Sequence, residues 1–241
     1  MAQTSTRAKT KRAATKSKAR AATRSKPEIK APRGKKAPSP TEDVRERVVS
    51  SALKLFATSG FEGTTITQVA RDAGIVSPLV YYYFADKDEL WRAAADYALR
   101  DWSVNMATIQ KELSDADPVT VLKVQLRRFI YFSARHRDFS HLVINEAGSG
   151  SERMKWLIER HLRPLHEGAS KALNEAVKQG LVKKINPAFL NQFVIGGAGH
   201  VLNSVQVLGS IYGINPLDDK IVDEFADFLI DLIFNGALIH K

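Results

Sequence analysis

An all-α fold is predicted by three features of the sequence. Apolar residues recur at helical spacings of three and four through successive segments, glycines, prolines and cap-forming residues punctuate those segments, and no stretch alternates long enough to demand a strand. No internal repeat of 20 to 50 residues is visible, so a solenoid is not expected.

The chain has 241 residues, 44% apolar and 26% charged, which excludes disorder throughout and gives room for one large or two small domains. Its charge is uneven. Residues 1–40 hold thirteen Lys or Arg and one acid, a net +12, whereas the remaining residues carry −2. This Ala-, Lys-, Arg-, Ser- and Thr-rich stretch has no periodicity and is expected to be disordered. An acid-poor start of this kind also suits a transit peptide, but Ile29 is the only large apolar residue between Gln3 and Pro40, so an amphipathic helix is excluded. The absence of cysteine excludes disulfide frameworks, thiolate nucleophiles and Cys-ligated zinc, and suits a reducing cytoplasm. The longest uncharged stretch, 185–217, is interrupted by Asn186, Asn191, Gln192, His200, Asn203 and Gln206, so no membrane partner is expected.

The first helix is expected from Glu42, with Val44, Val48, Ala52, Leu55 and Phe56 on one side, ending at Thr58 or Ser59 before Gly60 in a left-handed position. Thr65-Ile-Thr-Gln68 has capping-box form and opens a short helix through Ala73, with Ile66, Val69 and Ala70 inward and Gly74 as its stop. Ser77-Pro78 then reads as a hydroxyl cap and a first-turn proline for a helix ending at Tyr83. Two short helices joined by a glycine-containing turn of about three residues match a helix-turn-helix, whose second helix enters the major groove of DNA. Asp86-Lys-Asp-Glu89 places acids in the first turn of a long helix that Leu90, Trp91, Ala94, Tyr97, Trp102 and Met106 carry to about Glu112. Further helices fit 117–136, 138–147, 151–179, 187–212 and 217–238, divided by Asp117-Pro118, Gly148-Ser-Gly150, Gly180, Asn186-Pro187 and Gly213 to Pro216.

Gly60-Phe-Glu-Gly-Thr-Thr-Ile-Thr-Gln-Val-Ala-Arg-Asp-Ala-Gly74, followed by Tyr81-Tyr-Tyr-Phe84 and Lys87-Asp-Glu-Leu90, closely resembles the tetracycline-repressor (TetR) family over Val44 to Leu90. Beyond Trp91 the resemblance is to a helical architecture of the right length. After the basic tail of 1–40, it implies a two-fold dimer whose subunits each have a helix-turn-helix DNA-binding domain over 41–90 and a helical effector-binding and dimerisation domain over 91–241. It also implies contacts to operator DNA from Thr65, Thr67, Ser77, Pro78, Leu79, Tyr81, Tyr82 and Lys87. Thr65, Tyr81 and Lys87 would hold phosphates, and Thr67, Ser77, Leu79 and Tyr82 would reach base edges or thymine methyls. Leu79 departs from the small residue or threonine of many members, so readout there is expected to be apolar. The residues argue independently for an exposed surface: Tyr81, Tyr82 and Tyr83 are consecutive on a helix, and neighbours diverging by about 100° cannot all face one core. Residues 41–90 are net −3, unusual for a DNA reader, and the basic tail is expected to compensate by neutralising phosphates.

In the larger domain, Trp102, Met106, Phe129 and Phe132 read either as core or as the wall of an apolar effector cavity, with His141 and Asn145 as polar anchors. The 187–212 helix has no charged residue and carries Gly196, and the following helix has a stripe of Val222, Phe225, Leu229 and Ile233. These are either protomer core or a four-helix homodimer interface, and the second is preferred in a two-fold DNA reader. Enzymatic readings fail on spacing. His136/His141 and His161/His166 are each five apart, about 140° around a helix, so no metal site is expected. Gly148-Ser-Gly-Ser151 lacks the Gly-Lys-Ser/Thr of a phosphate loop, and no cofactor is expected. The resulting expectation is a cytoplasmic, non-enzymatic, dimeric repressor released from its operator by a small apolar effector. The alternatives are an architectural DNA-binding protein dominated by its tail, with no inducer, and a membrane-surface or scaffolding protein.

Overall fold

A computed structural model describes residues 40–237 of the chain. The expected disorder of the basic tail therefore lies outside the described residues. The described residues form one unit. The helices are α1 (Pro40–Gly63), α2 (Ile66–Asp72), α3 (Ser77–Tyr83), α4 (Lys87–Glu112), α5 (Pro118–Arg135), α6 (Arg137–Ala147), α7 (Glu152–Leu157), α8 (Arg163–Lys178), α9 (Pro187–Asn203), α10 (Val205–Tyr212) and α11 (Asp219–Ala237). No strand occurs among the described residues.

The helix starts follow side-chain chemistry. The Thr65 hydroxyl accepts from the Gln68 amide while the Gln68 side chain accepts from the Thr65 amide, the reciprocal pair expected of Thr-x-x-Gln. At the start of α4 the Glu89 N–H donates to Asp86 and the Ala85 N–H donates to the Glu89 carboxylate. Asp117 and Asn186 cap α5 and α9, each just before a proline. Ser77 differs from expectation: it is the first residue of α3, Val76 occupies the cap position, and no side chain caps that end.

Gly60 interrupts α1 with φ of 70°, and Gly74 ends the α2 turn with φ of 68°, where an L side chain would be strained. Thr64, fully buried just beyond α1, donates its hydroxyl to the Gly60 carbonyl at 2.8 Å, with the Leu55 carbonyl 3.1 Å away. These are carbonyls a helix end leaves unpaired. Thr64→Val preserves shape but strands them, so an unfolding free energy lower by about 1–3 kcal/mol is expected in urea titration. A variant as stable as the parent would show that water reaches these carbonyls.

Two longer predicted helices are broken. The 151–179 segment is α7 and α8 joined through a π-helical turn, Ile158–Leu162, where Arg160 and His161 both reach Asp96 of α4, at 2.9 and 2.6 Å. The 187–212 segment bends by 66° between α9 and α10. At that break the Ser204 hydroxyl donates to the His200 carbonyl and the Asn203 amide to the Gly199 carbonyl, side-chain bonds that compete with the helix ladder.

Two main cores result. The first joins α1–α4, α6 and α7 around Phe56, Trp91, Leu99, Leu142 and Leu157. The second joins α5, α9 and α11 around Leu126, Ile130, Leu202, Val222, Ala226 and Leu229. Phe129 packs against both. No single described helix is long and apolar enough to cross a membrane.

Candidate functional site

Val80 and Phe84, four apart, anchor α3 inward and are buried. The opposite side is open: Tyr81 is 56% and Tyr82 76% exposed, while Tyr83 is half-buried against Tyr82 and Phe84. Thr65, Thr67 and Pro78 are exposed, and Ser77 and Leu79 are half-buried. α2 supplies the support, since its Val69 and Ala70 are buried and the Ile75 N–H returns to the Ala70 carbonyl at 2.9 Å, fixing the turn into α3. Lys87 starts α4, and its ammonium lies 4.2 Å from the centre of the Phe61 ring, which itself stacks on Phe56.

The expected effector residues separate into three groups. Trp102, Phe129 and Phe132 do come together, with the Trp102 ring 4.7 Å from Phe132 and 6.1 Å from Phe129, and Met106 packs against the same core. Their rings fill the seam between α4 and α5. Two surface depressions, about 460 Å³ along α8 and about 510 Å³ between α5 and α11, lie away from this cluster. Trp102 Nε1, in this cluster, is a buried donor without a partner. His141 lies elsewhere, its ring 2.9 Å from the Asn203 amide oxygen at the end of α9. Asn145 is elsewhere again: its amide donates to the Phe56 and Ala57 carbonyls of α1, so it latches α6 to the helix-turn-helix.

Beside Asn145, Glu146 is a buried carboxylate. Ser149 and Ser151 donate to one of its oxygens, and Arg153 donates Nε and Nη2 to the other at 3.1 and 3.0 Å. Burial would raise its pKa, but the bonds from Ser151, Ser149 and Arg153 outweigh that and hold it below the usual carboxylate range. A depressed folded value contributes stability that is present above the unfolded pKa and lost as pH falls through the folded one. Unfolding free energy is therefore expected to fall more steeply in the parent than in Glu146→Gln as pH drops below the ordinary carboxylate pKa. Identical slopes would contradict this.

Residues 48–94 match the family description "Bacterial regulatory proteins, tetR family", and residues 124–241 match "Tetracyclin repressor-like, C-terminal domain". The chain belongs to the TetR family of DNA-binding transcriptional regulators. It is 31% identical over 102 residues to the HTH-type transcriptional regulator YerO of Bacillus subtilis, covering 42% of this chain and 35% of that protein. It is 23% identical over 192 residues to RutR of Escherichia coli K12, covering 80% and 89%. Among solved structures it is similar to a TetR-family regulator from Marinobacter aquaeolei (TM-score 0.63, 17% identity, 82% of this chain and 97% of that one). It is also similar to AibR in complex with isovaleryl coenzyme A and operator DNA (TM-score 0.59, 19% identity, 80% and 100%).

Of the residues expected at the dimer interface of this TetR chain, two lie inside the protomer and Gly196 is exposed. Val222 and Leu229 are buried inside the protomer, and Phe225 and Ile233 pack partly buried beside them on α5 and α9. α11 is apolar on two sides, and the sequence stripe marks the inner one. The exposed side carries Phe228 and Leu232, and exposed Phe189, Phe193, Gly196 and His200 recur at spacings of four, three and four on α9. A Cβ at Gly196 would meet open space, so nothing within the protomer requires glycine there.

Proposed function

We infer that the protein is a homodimeric, cytoplasmic repressor. In this reading residues 1–40 are a basic tail, 41–90 read the operator, and 91–241 dimerise and bind an effector. The observation that carries the reading is α3, braced by Val80 and Phe84 while Tyr81 and Tyr82 stand in solvent beside the Thr65-capped α2. Thr65, Tyr81 and Lys87 hold phosphates, and Thr67, Ser77, Leu79 and Tyr82 face bases, with Pro78 setting the helix start. The second copy packs on the exposed apolar side of α9 and α11, placing two α3 helices about one DNA turn, roughly 34 Å, apart.

Duplexes selected by the full-length protein from a random library test this. A two-fold symmetric sequence is the expected product. Tyr82→Ala then weakens binding to the selected duplex more than to a scrambled one, and Lys87→Ala weakens both alike because a phosphate contact carries no sequence information. Failure to enrich any sequence would favour the architectural reading.

The effector site is the Trp102–Phe132 seam. The Trp102 Nε1 donor, buried there without a partner, calls for a ligand with an apolar body and a hydrogen-bond acceptor, such as an amide carbonyl. Acyl thioesters of coenzyme A combine an acyl chain with amides, and AibR is bound to one, so an acyl-CoA series of increasing chain length is the first probe. Quenching of Trp102 fluorescence, lost in Phe132→Ala, is expected for a member that also releases the selected duplex. A second reading, a TetR regulator with no inducer, draws on the close packing of the aromatic rings. It predicts no saturable quenching.

A further inference from the structure

The Gly148-Ser-Gly-Ser151 loop resembles no phosphate loop in use, yet both of its serines are committed, as donors to the buried Glu146 carboxylate. Glu146 in turn holds Arg153 through two N–H groups on one oxygen, and the remaining edge of the guanidinium donates from Nη1 to Asp88 at 3.2 Å. The Arg153 Cζ lies over the Phe61 ring, 3.4 Å from its centre. One side chain is thus fixed in its plane by a carboxylate of α6 and in depth by an aromatic ring. The groups it touches across the gap are Asp88, in the first turn of α4, and Phe61, at the end of α1.

Both flank Lys87. Asp88 follows it in sequence, and the Phe61 ring is the surface on which the Lys87 ammonium rests, 4.2 Å from the centroid. A rigid fork with five N–H donors and a stackable face can make all these contacts at once, which a lysine ammonium cannot. α6 also carries Asn145, bonded to the Phe56 and Ala57 carbonyls, and Arg137 and His141, both within 3.1 Å of the Asn203 amide oxygen at the end of α9.

We propose that Arg153 is a positioning residue for DNA reading: held by Glu146 and the Ser149–Ser151 loop, it fixes Asp88 and Phe61 so that Lys87 meets a phosphate. This rests on the reading of Lys87 as a DNA contact. Full-length Arg153→Met, Asp88→Ala and Lys87→Ala, and the Lys87→Ala/Arg153→Met double variant, are compared on the selected and the scrambled duplex at several salt concentrations. Arg153→Met is expected to reproduce Lys87→Ala: affinity about tenfold weaker on both duplexes, and a salt slope flatter by about 0.9 for each phosphate no longer neutralised. The double variant is expected to be no weaker than Lys87→Ala alone, because Arg153 acts through Lys87.

A merely structural role would instead lower the thermal midpoint while leaving the salt slope of the folded protein unchanged, or would multiply with Lys87→Ala, and either result overturns the proposal. Should Arg153→Met fail to fold, Asp88→Ala, half-exposed and leaving the Glu146–Arg153 pair intact, makes the same test in the same direction. An unaltered Lys87→Ala would defeat the reading of Lys87 itself. A weakened Lys87→Ala beside an unaltered Arg153→Met and Asp88→Ala would defeat only the clamp.

Discussion

Phe193→Asp and Phe228→Asp are each expected to separate the dimer and to lower affinity for the selected duplex by about a thousandfold, to the level of non-specific binding. Phe193 is 55% and Phe228 60% exposed in the protomer, so a carboxylate there costs the isolated subunit little. In the dimer it would sit desolvated and unpaired between apolar helices, which is costly. A subunit with one recognition helix spans only one half-site. Leu229→Asp, one residue beyond Phe228, is expected to behave differently. Its side chain is 4% exposed among Leu126, Ile130 and Leu202, so the variant should lose its helical signal rather than form a folded monomer. Sedimentation and circular dichroism on the three variants separate these outcomes. A folded dimer for both phenylalanine variants would move the interface to another surface, and a folded monomer for Leu229→Asp would return it to the inner stripe.

That contrast shows where sequence pattern stops informing. Local chemistry was legible: Thr65 with Gln68, Gly60 and Gly74 at positive φ, Asp117-Pro118 and Asn186-Pro187 all act within a few residues, and the structure places each of them as the pattern required. Val80 and Phe84 were legible as anchors because only one face of α3 is apolar and small. α11 defeats the same reasoning. Val222, Ala226 and Leu229 recur at helical spacing, but so do Phe228 and Leu232, and periodicity cannot say which stripe finds its partner within the chain. The break at Ser204 depends on side chains bonding back to the helix carbonyls, which a charge-free apolar run conceals. Asn145 and Arg153 were the least accessible, because Asn145 reaches carbonyls 88 and 89 positions away and Arg153 a carboxylate 65 away, and neither bond leaves a period.

Removing residues 1–39 is expected to weaken binding to the selected and scrambled duplexes by the same large factor while preserving their ratio. The removed segment holds all thirteen cations of the basic tail, and residues 41–90, which carry the recognition helix, are net −3. Attraction to phosphate must therefore come mainly from the tail, and a dimer brings two of them. Each phosphate that the tail no longer neutralises should flatten the dependence of log affinity on log salt by about 0.9, so the two proteins converge as salt rises. Specificity should persist because Thr67, Ser77, Leu79 and Tyr82 are untouched, and contacts to phosphate carry no sequence information. Affinities for both duplexes across a salt series, with and without the segment, decide between the roles. An unchanged slope would show that the tail does not meet DNA. A collapsed ratio would show that a tail residue such as Arg33 reads a minor groove, and the sequence-reading surface would then extend beyond α2 and α3.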